Sequence, residues 1–358
     1  MSASPTRRIV ALDGLRAVAV VLVMLGHGSE AYLGDQAEAP WLAPLVNSSL
    51  GVRLFFVLSG FLITSLLLRE QQQRGSIDWR AFLFRRCLRI WPALYAYLIA
   101  IAGLTLLGVI AVSPLQFLAA ATFTWNYAGI WIRQGTADGG WFLGHLWTLA
   151  LEQQFYLAWP ALIILAGWRR AAVGAVAVPL LMPLVRLGWY AAFPDQRGFL
   201  GMLFHTAIDS ILIGCAFALH QPRIRLWMAP RPWVFPLALL FVFLISPLLG
   251  SLLRPYRITV GYGLDGLCCG VLILAAEQEG AWSRWLSLKP LVVLGTISYG
   301  LYIWQQLFLT PLNTTITGHF PISVLAAFGC AAASFGGIER PFLRAKGMFQ
   351  RAALGPPG

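Results

Sequence analysis

Ten apolar runs constrain this chain more than any other feature. They lie at 9–28, 50–68, 88–111, 145–166, 171–192, 203–219, 233–250, 260–276, 290–311 and 321–338. Most approach the ~20 residues that a helix needs to cross ~30 Å of hydrocarbon. No closed-barrel alternation is present, so helices are the only spanning structure open to them. Charged residues make up 11% of the 358 and hydrophobic residues 58%, where a soluble domain carries about 25% charged. Too little polar surface remains to cover a water-soluble globule. A soluble enzyme, a disordered chain and a disulfide scaffold are thereby excluded. The expected fold is an all-α polytopic membrane protein.

Arginines fall between these runs and orient them. The net charge is +12, from 24 arginines and 2 lysines. Arg7 and Arg8 open the chain, and Arg69, Arg74, Arg80, Arg85, Arg86 and Arg89 follow the second run. Arg169 and Arg170, then Arg223, Arg225 and Arg231, and finally Arg340, Arg344, Lys346 and Arg351 mark later loops. Placing all of them on the cytoplasmic side predicts ten crossings with both termini cytoplasmic. The shorter apolar stretch at 114–126 then cannot cross, and is expected as a short helix embedded from the outer side. Arg254 and Arg257 fall outside in this scheme. The run behind Arg7-Arg8 reaches Gly28 without a cleavage pattern, so it reads as a mature helix rather than a signal peptide.

Basic residues placed between spans read as anchors and site groups, not as a nucleic-acid surface. The five cysteines (Cys87, Cys215, Cys268, Cys269 and Cys330) show no metal-ligand spacing and read as small hydrophobes. Residues 1–346 form one expected membrane domain. Residues 347–358 read as a cytoplasmic tail, disordered at Gly355-Pro356-Pro357-Gly358.

Ionisable groups inside spans are costly and point to function. The first run carries Asp13, Arg16 and His27. Arg16 and His27 are eleven residues apart, about three turns, so they share a face ~16 Å apart. Asp13 stands three residues before Arg16, within pairing reach. His145 and Glu152 share a face of the fourth run, with Glu152 about two turns in. Arg86 and Arg89 open the third run. They serve either as a positive-inside anchor or as a phosphate clamp, since guanidinium forks match phosphate oxygens. Asp209 and Asp265 are either partners for arginines or site residues. His205 reads as structural, and His220 and His319 lie in loops.

These residues carry a resemblance. Ala11-Leu12-Asp13-Gly14-Leu15-Arg16-Ala17, followed by His27, is similar to the opening of the acyltransferase type 3 membrane proteins. Gly51-Val52-Arg53-Leu54-Phe55-Phe56-Val57-Leu58-Ser59-Gly60-Phe61-Leu62 resembles their second-span motif. Arg86 and Arg89 before Ile90-Trp91-Pro92 resemble their arginine-x-x-arginine segment. The block from His145 to Tyr156, with Ile297-Ser298-Tyr299-Gly300-Leu301-Tyr302 and Glu339-Arg340-Pro341-Phe342, completes six motifs in the family's order. The resemblance runs from about residue 8 to 346. Three positions depart from it. Gln305 stands where a histidine is usual, Ala207 where an arginine commonly precedes Asp209 by two residues, and Thr148 where a serine is usual.

The resemblance implies acyl transfer, most often of acetyl from acetyl-CoA to a carbohydrate hydroxyl, in a bacterial inner membrane. No bound cofactor or metal is expected, and acyl-CoA is the co-substrate. In this reading Arg86 and Arg89, with Arg16, hold the phosphates of coenzyme A; Asp13 belongs to the donor site beside Arg16, which also counts among the catalytic residues. His27 is the general base, its ordinary pKa of about 6.5 suiting it to take a hydroxyl proton. Glu152 orients His27 or the acceptor. Ser59, Tyr299 or Arg53 donates to the thioester oxygen, while His145 and Asp209 are candidate substrate contacts. Trp141, Trp147, Phe155 and Tyr156 form either a sugar platform or an interfacial belt. A transporter or flippase of a lipid-linked glycan stands as the rival, as does the same chemistry on a cytoplasmic small molecule such as a macrolide sugar.

Overall fold

The computed structural model describes residues 9–132 and 137–344. Arg7, Arg8, Lys346, Arg351 and the tail 347–358 lie outside the described residues. Among those described, every regular element is helical and none is a strand, as the apolar runs require. Seven helices are long and apolar enough to cross a membrane, and a bent pair makes an eighth candidate.

The first three are α1 (Val10–Leu33), α2 (Ser48–Arg74) and α3 (Trp79–Leu106). Polar residues set their ends. The Asn47 side chain accepts from the Leu50 N–H at 3.0 Å, and Asp78 accepts from the Ala81 N–H at 2.9 Å. Such caps satisfy donors that a helix start leaves orphaned. The stretch expected not to cross forms two short helices, α4 (Pro114–Ala121) and α5 (Trp125–Trp131). Eight residues rise only ~12 Å, far short of a crossing. Gln154 clamps the α4–α5 turn, donating to the Phe123 carbonyl at 3.0 Å and pairing with Asn126.

Two of the expected runs join in one element, α6 (Leu146–Ala192), of 47 residues. A straight helix of that length would span ~70 Å, more than twice the hydrocarbon. Gly167 divides it, with φ 80° and ψ 160°, a conformation that glycine adopts at little cost. The contacts show that the chain reverses there. Before the break, Tyr156 meets Ser59 and Trp159 meets Thr64, so this half runs parallel to α2. After it, Arg186 returns to the ring of Tyr262, which Arg53 near the start of α2 also covers. Arg169 and Arg170 follow the reversal directly.

The rest comprises α7 (Asp209–Leu219), α8 (Val234–Leu252), α9 (Arg257–Ala276), the pair α10 (Lys289–Thr296) and α11 (Ser298–Phe308) bent by 70°, and α12 (Ile322–Arg344). A short turn, Phe204–Ala207, leads into α7. Helix α1 runs against α2 but alongside α11, and α12 runs back against α11. Large apolar side chains such as Leu106 (88% exposed) and Leu165 (84%) face outward, as lipid contact requires.

Helices α2 and α7 pack in close contact. A Cβ built on Gly60 would lie 1.9 Å from the Ile211 carbonyl oxygen, and one on Gly214 would lie 2.1 Å from that of Val57. The two backbones touch, a geometry that small residues permit in membrane helices. Gly60→Val or Gly214→Val is expected to force them apart at a cost of at least about 1–3 kcal/mol. The yield of monodisperse protein in detergent should fall sharply, and Gly263→Ala, in open space, should leave it unchanged.

Candidate functional site

A chamber opens between α1, α2, α3, the first half of α6 and α11. It encloses about 890 Å³, counting the space at its mouth. Arg16, Arg86 and Arg89 line it, as do Ser59, Glu152, Tyr156 and Tyr299; Thr148 and Tyr302 belong to its wall. Phe55, Phe56, Leu62 and Ile63 supply apolar surface.

Three arginines of α3, Arg85, Arg86 and Arg89, differ in their surroundings. Arg85 pairs with Glu70 at 3.2 Å and is an anchor. Arg86 and Arg89, three residues apart on the helix, both face the chamber. Neither forms a hydrogen bond or ion pair among the described residues, and the Nε of Arg86 is buried without a partner. The Arg86 guanidinium rests over the rings of Phe82 (5.4 Å) and Tyr156 (5.9 Å). Arg16 pairs with Asp13 at 2.5 Å, and Asp13 is buried beneath it.

Deeper in, Tyr156 donates to the Glu152 carboxylate at 3.2 Å, and its hydroxyl lies 2.7 Å from Ser59 Oγ. Since Tyr156 spends its proton on Glu152, Ser59 is the donor in the second bond. Glu152 therefore orders two hydroxyls inside the chamber. Tyr299, also in the wall, donates to the Ile90 carbonyl at 2.6 Å.

His27 does not line the chamber. The wall ends at Thr148 and Tyr302, whose hydroxyls are 2.7 Å apart and share the His145 carbonyl as an acceptor within reach of both. One helical turn beyond them lie His145 and Gln305. His27 Nδ1 sits 2.8 Å from Gln305 Nε2 and 3.0 Å from Oε1, with its ring edge-on to Trp141 at 6.2 Å. No hydrogen bond joins His27 to Glu152. Both ring nitrogens of His145 are buried without partners.

A second buried group of charges lies apart from the chamber. Arg186, 0% exposed, donates from Nε to the Thr206 carbonyl at 2.8 Å and ion-pairs with Asp209. It also reaches the Ile258 and Thr259 carbonyls, both at 3.4 Å, within the π-helical turn that opens α9. Asp209 is thus the partner of an arginine. That arginine comes from another helix, while the buried Ala207 leaves the family's usual position empty. Arg53 packs its guanidinium 3.3 Å from the Tyr262 ring centroid and reaches Ser210 Oγ at 3.3 Å. It is not among the chamber residues. Asp265 lies beside this group with Oδ1 unpartnered.

Sequence reasoning passed over Arg186, Tyr156 as a chamber residue, and the role of Gln305. Arg186 carried a usable signal, being a lone charge inside the 171–192 run. Nothing local to Tyr156 or Gln305 separates them from packing residues. The five cysteines are unpaired, in keeping with a hydrophobe's role.

Comparison with known proteins supplies the class. The acyltransferase domain model matches residues 9–338, and the chain belongs to the acyltransferase type 3 family of membrane proteins. The O-acetyltransferase OatA of Staphylococcus aureus (strain NCTC 8325 / PS 47) is 27% identical over 370 residues, covering 95% of this chain and 58% of the relative. The peptidoglycan O-acetyltransferase OatA of Listeria monocytogenes is 28% identical over 362 residues, covering 93% of this chain and 55% of the relative. The putative peptidoglycan O-acetyltransferase YrhL of Bacillus subtilis is 27% identical, with 94% and 55% covered. The chain spans little more than half the length of these relatives. No solved structure matches it.

Breaking a buried ion pair by removing one partner costs about 3–5 kcal/mol, whereas neutralising both is often tolerated. Arg186→Ala is therefore expected to lower the unfolding temperature in detergent markedly. The double variant Arg186→Met, Asp209→Asn should recover most of that loss in the same thermal scan.

Proposed function

We propose that the protein is a membrane O-acetyltransferase that moves acetyl from acetyl-CoA to a hydroxyl of a cell-wall glycan. The acceptor class follows the names of its relatives, for which peptidoglycan is the printed substrate. The observation that carries the reading is the pair of unpartnered guanidinium groups, Arg86 and Arg89, half-buried and facing the chamber. A charge left unpaired at such depth is costly. A polyanionic ligand that supplies the missing acceptors accounts for both.

In this reading the phosphates of coenzyme A rest on Arg86 and Arg89 beside Arg16. The pantetheine arm runs past Ser59 and Tyr156 toward Thr148 and Tyr302, and the thioester reaches His27 beyond them. The acceptor hydroxyl attacks the thioester carbonyl carbon while His27 takes its proton. The carbon–sulfur bond then breaks and coenzyme A leaves as the thiol, with the proton returned to sulfur. Glu152 holds the Ser59 and Tyr156 hydroxyls along the donor's path instead of orienting His27.

The relative helix directions favour ten alternating crossings, with the α6 reversal counted as two, the 204–219 segment as one and the bent pair as one. Both termini and the chamber mouth then face the cytoplasm of a bacterial inner membrane, and His27 lies toward the outer side. One membrane domain, residues 1–346, carries the whole arrangement.

Reconstituted protein with radiolabelled acetyl-CoA and cell-wall glycan tests the proposal. Wild type should label the glycan. His27→Ala should lose about 10²–10⁴-fold in rate, the usual contribution of a positioned base. Absence of label with wild type, alongside glycan movement across the vesicle, would favour a flippase instead. Arg86→Ala and Arg89→Ala should each raise the donor KM by about tenfold or more, since a hydrogen bond to a charged group is worth about 1.5–3 kcal/mol. An unchanged KM would remove the phosphate assignment.

A further inference from the structure

We infer that Gln305 is a positioning residue that holds His27 in the Nδ1–H tautomer and so leaves Nε2 as the proton-accepting atom. The inference rests on the transferase reading above. It starts from a side chain that is fully buried, with its carboxamide against one nitrogen of the candidate base.

A carboxamide offers either an oxygen or an N–H, and which one faces His27 decides the tautomer. With the oxygen toward Nδ1, that nitrogen carries the proton and Nε2 keeps its lone pair. With the N–H toward Nδ1, the proton moves to Nε2, and the lone pair is tied up against Gln305. Both amide atoms lie within reach of Nδ1, Nε2 at 2.8 Å and Oε1 at 3.0 Å. Gln305 Nε2 also lies 3.2 Å from Gln306 Oε1, an acceptor that claims one amide hydrogen. Trp141 Nε1 donates to the Gln306 backbone carbonyl at 3.3 Å. Gln306 takes only one amide hydrogen, so the choice rests on the proton-accepting role: a base that accepts at Nε2 needs the first arrangement, in which Gln305 Oε1 accepts the Nδ1 proton. The same bond survives when Nε2 takes a second proton, because Nδ1–H still donates. Tautomer control through the other ring nitrogen is the usual way in which a histidine base is set.

Glutamine performs this without titrating, whereas the histidine usual at this position would add its own ionisation. Among the described residues, the titratable groups near His27 are Glu30 on its own helix and His145 at the head of α6. Gln305, Gln306 and Trp141 add none.

The test combines kinetics with chemical labelling. The kcat of Gln305→Leu should fall about tenfold or more, within the 10²–10⁴ that a positioned base supplies, at unchanged donor KM. Gln305→Glu places a carboxylate on Nδ1–H and favours the imidazolium, so the acid limb of the pH–rate profile should move to higher pH. Gln305→His should retain transfer and add a second ionisation. Carbethoxylation of His27 by diethyl pyrocarbonate, followed by peptide mass spectrometry across pH 5–8, reads the same titration without turnover. It should be slowed at about pH 6 in Gln305→Glu, since only the neutral ring reacts. Wild-type kcat in Gln305→Leu, or coincident labelling profiles for wild type and Gln305→Glu, would overturn the inference. If labelling shifts as expected while wild type transfers no acetyl, the transferase reading falls and the positioning of His27 stands.

Discussion

A guanidinium inside hydrocarbon must find acceptors, and this molecule meets that demand in two opposite ways. Arg186 is surrounded by carbonyls and a carboxylate from three elements and is fully enclosed. Its bonds tie the second half of α6 to α7 and to the π-helical start of α9. Arg86 and Arg89 are left without such partners and face an open volume. The first arrangement is complete and holds helices together. The second is incomplete and leaves its bonding capacity for something that enters. Local charge alone does not separate these arginines; satisfaction of their donors does.

The same contrast separates the polar groups along the path. Glu152, Tyr156 and Ser59 satisfy one another inside the chamber, and His27 with Gln305 forms a second small network beyond Thr148 and Tyr302. The two are joined by packing and not by a hydrogen bond. The His27–Gln305 pair and the Arg86–Arg89 pair therefore sit on different helices. On the proposed reading, substitutions at the two ends act on different kinetic constants.

Much of this was legible in the residues. The all-helical class followed from apolar runs, and the failure of 114–126 to form a span-length helix followed from the placement of Arg169 and Arg170. The i, i+3 spacing of Arg86 and Arg89 set them on one face. What escaped was contact between distant helices. The Arg186–Asp209 pair joins positions 23 residues apart across a reversal and a loop, and the His27–Gln305 bond joins positions 278 apart. Periodicity describes which face of a helix is apolar, not which helix that face will meet. The pairing of Glu152 with Ser59 and Tyr156 was hidden for the same reason: sequence spacing places the carboxylate at a depth but names no neighbour.

The 70° bend at Ile297 has an electrostatic consequence. Because α11 begins afresh there, its first residues, Ser298 and Tyr299, stand at a helix start inside the protein and against the chamber wall. A helix start leaves backbone N–H groups without intrahelical acceptors and carries about half a unit of positive charge. The field that would attract an anion is thus partly peptide in origin. That share does not depend on the arginines, and it partly offsets the Glu152 carboxylate on the same wall.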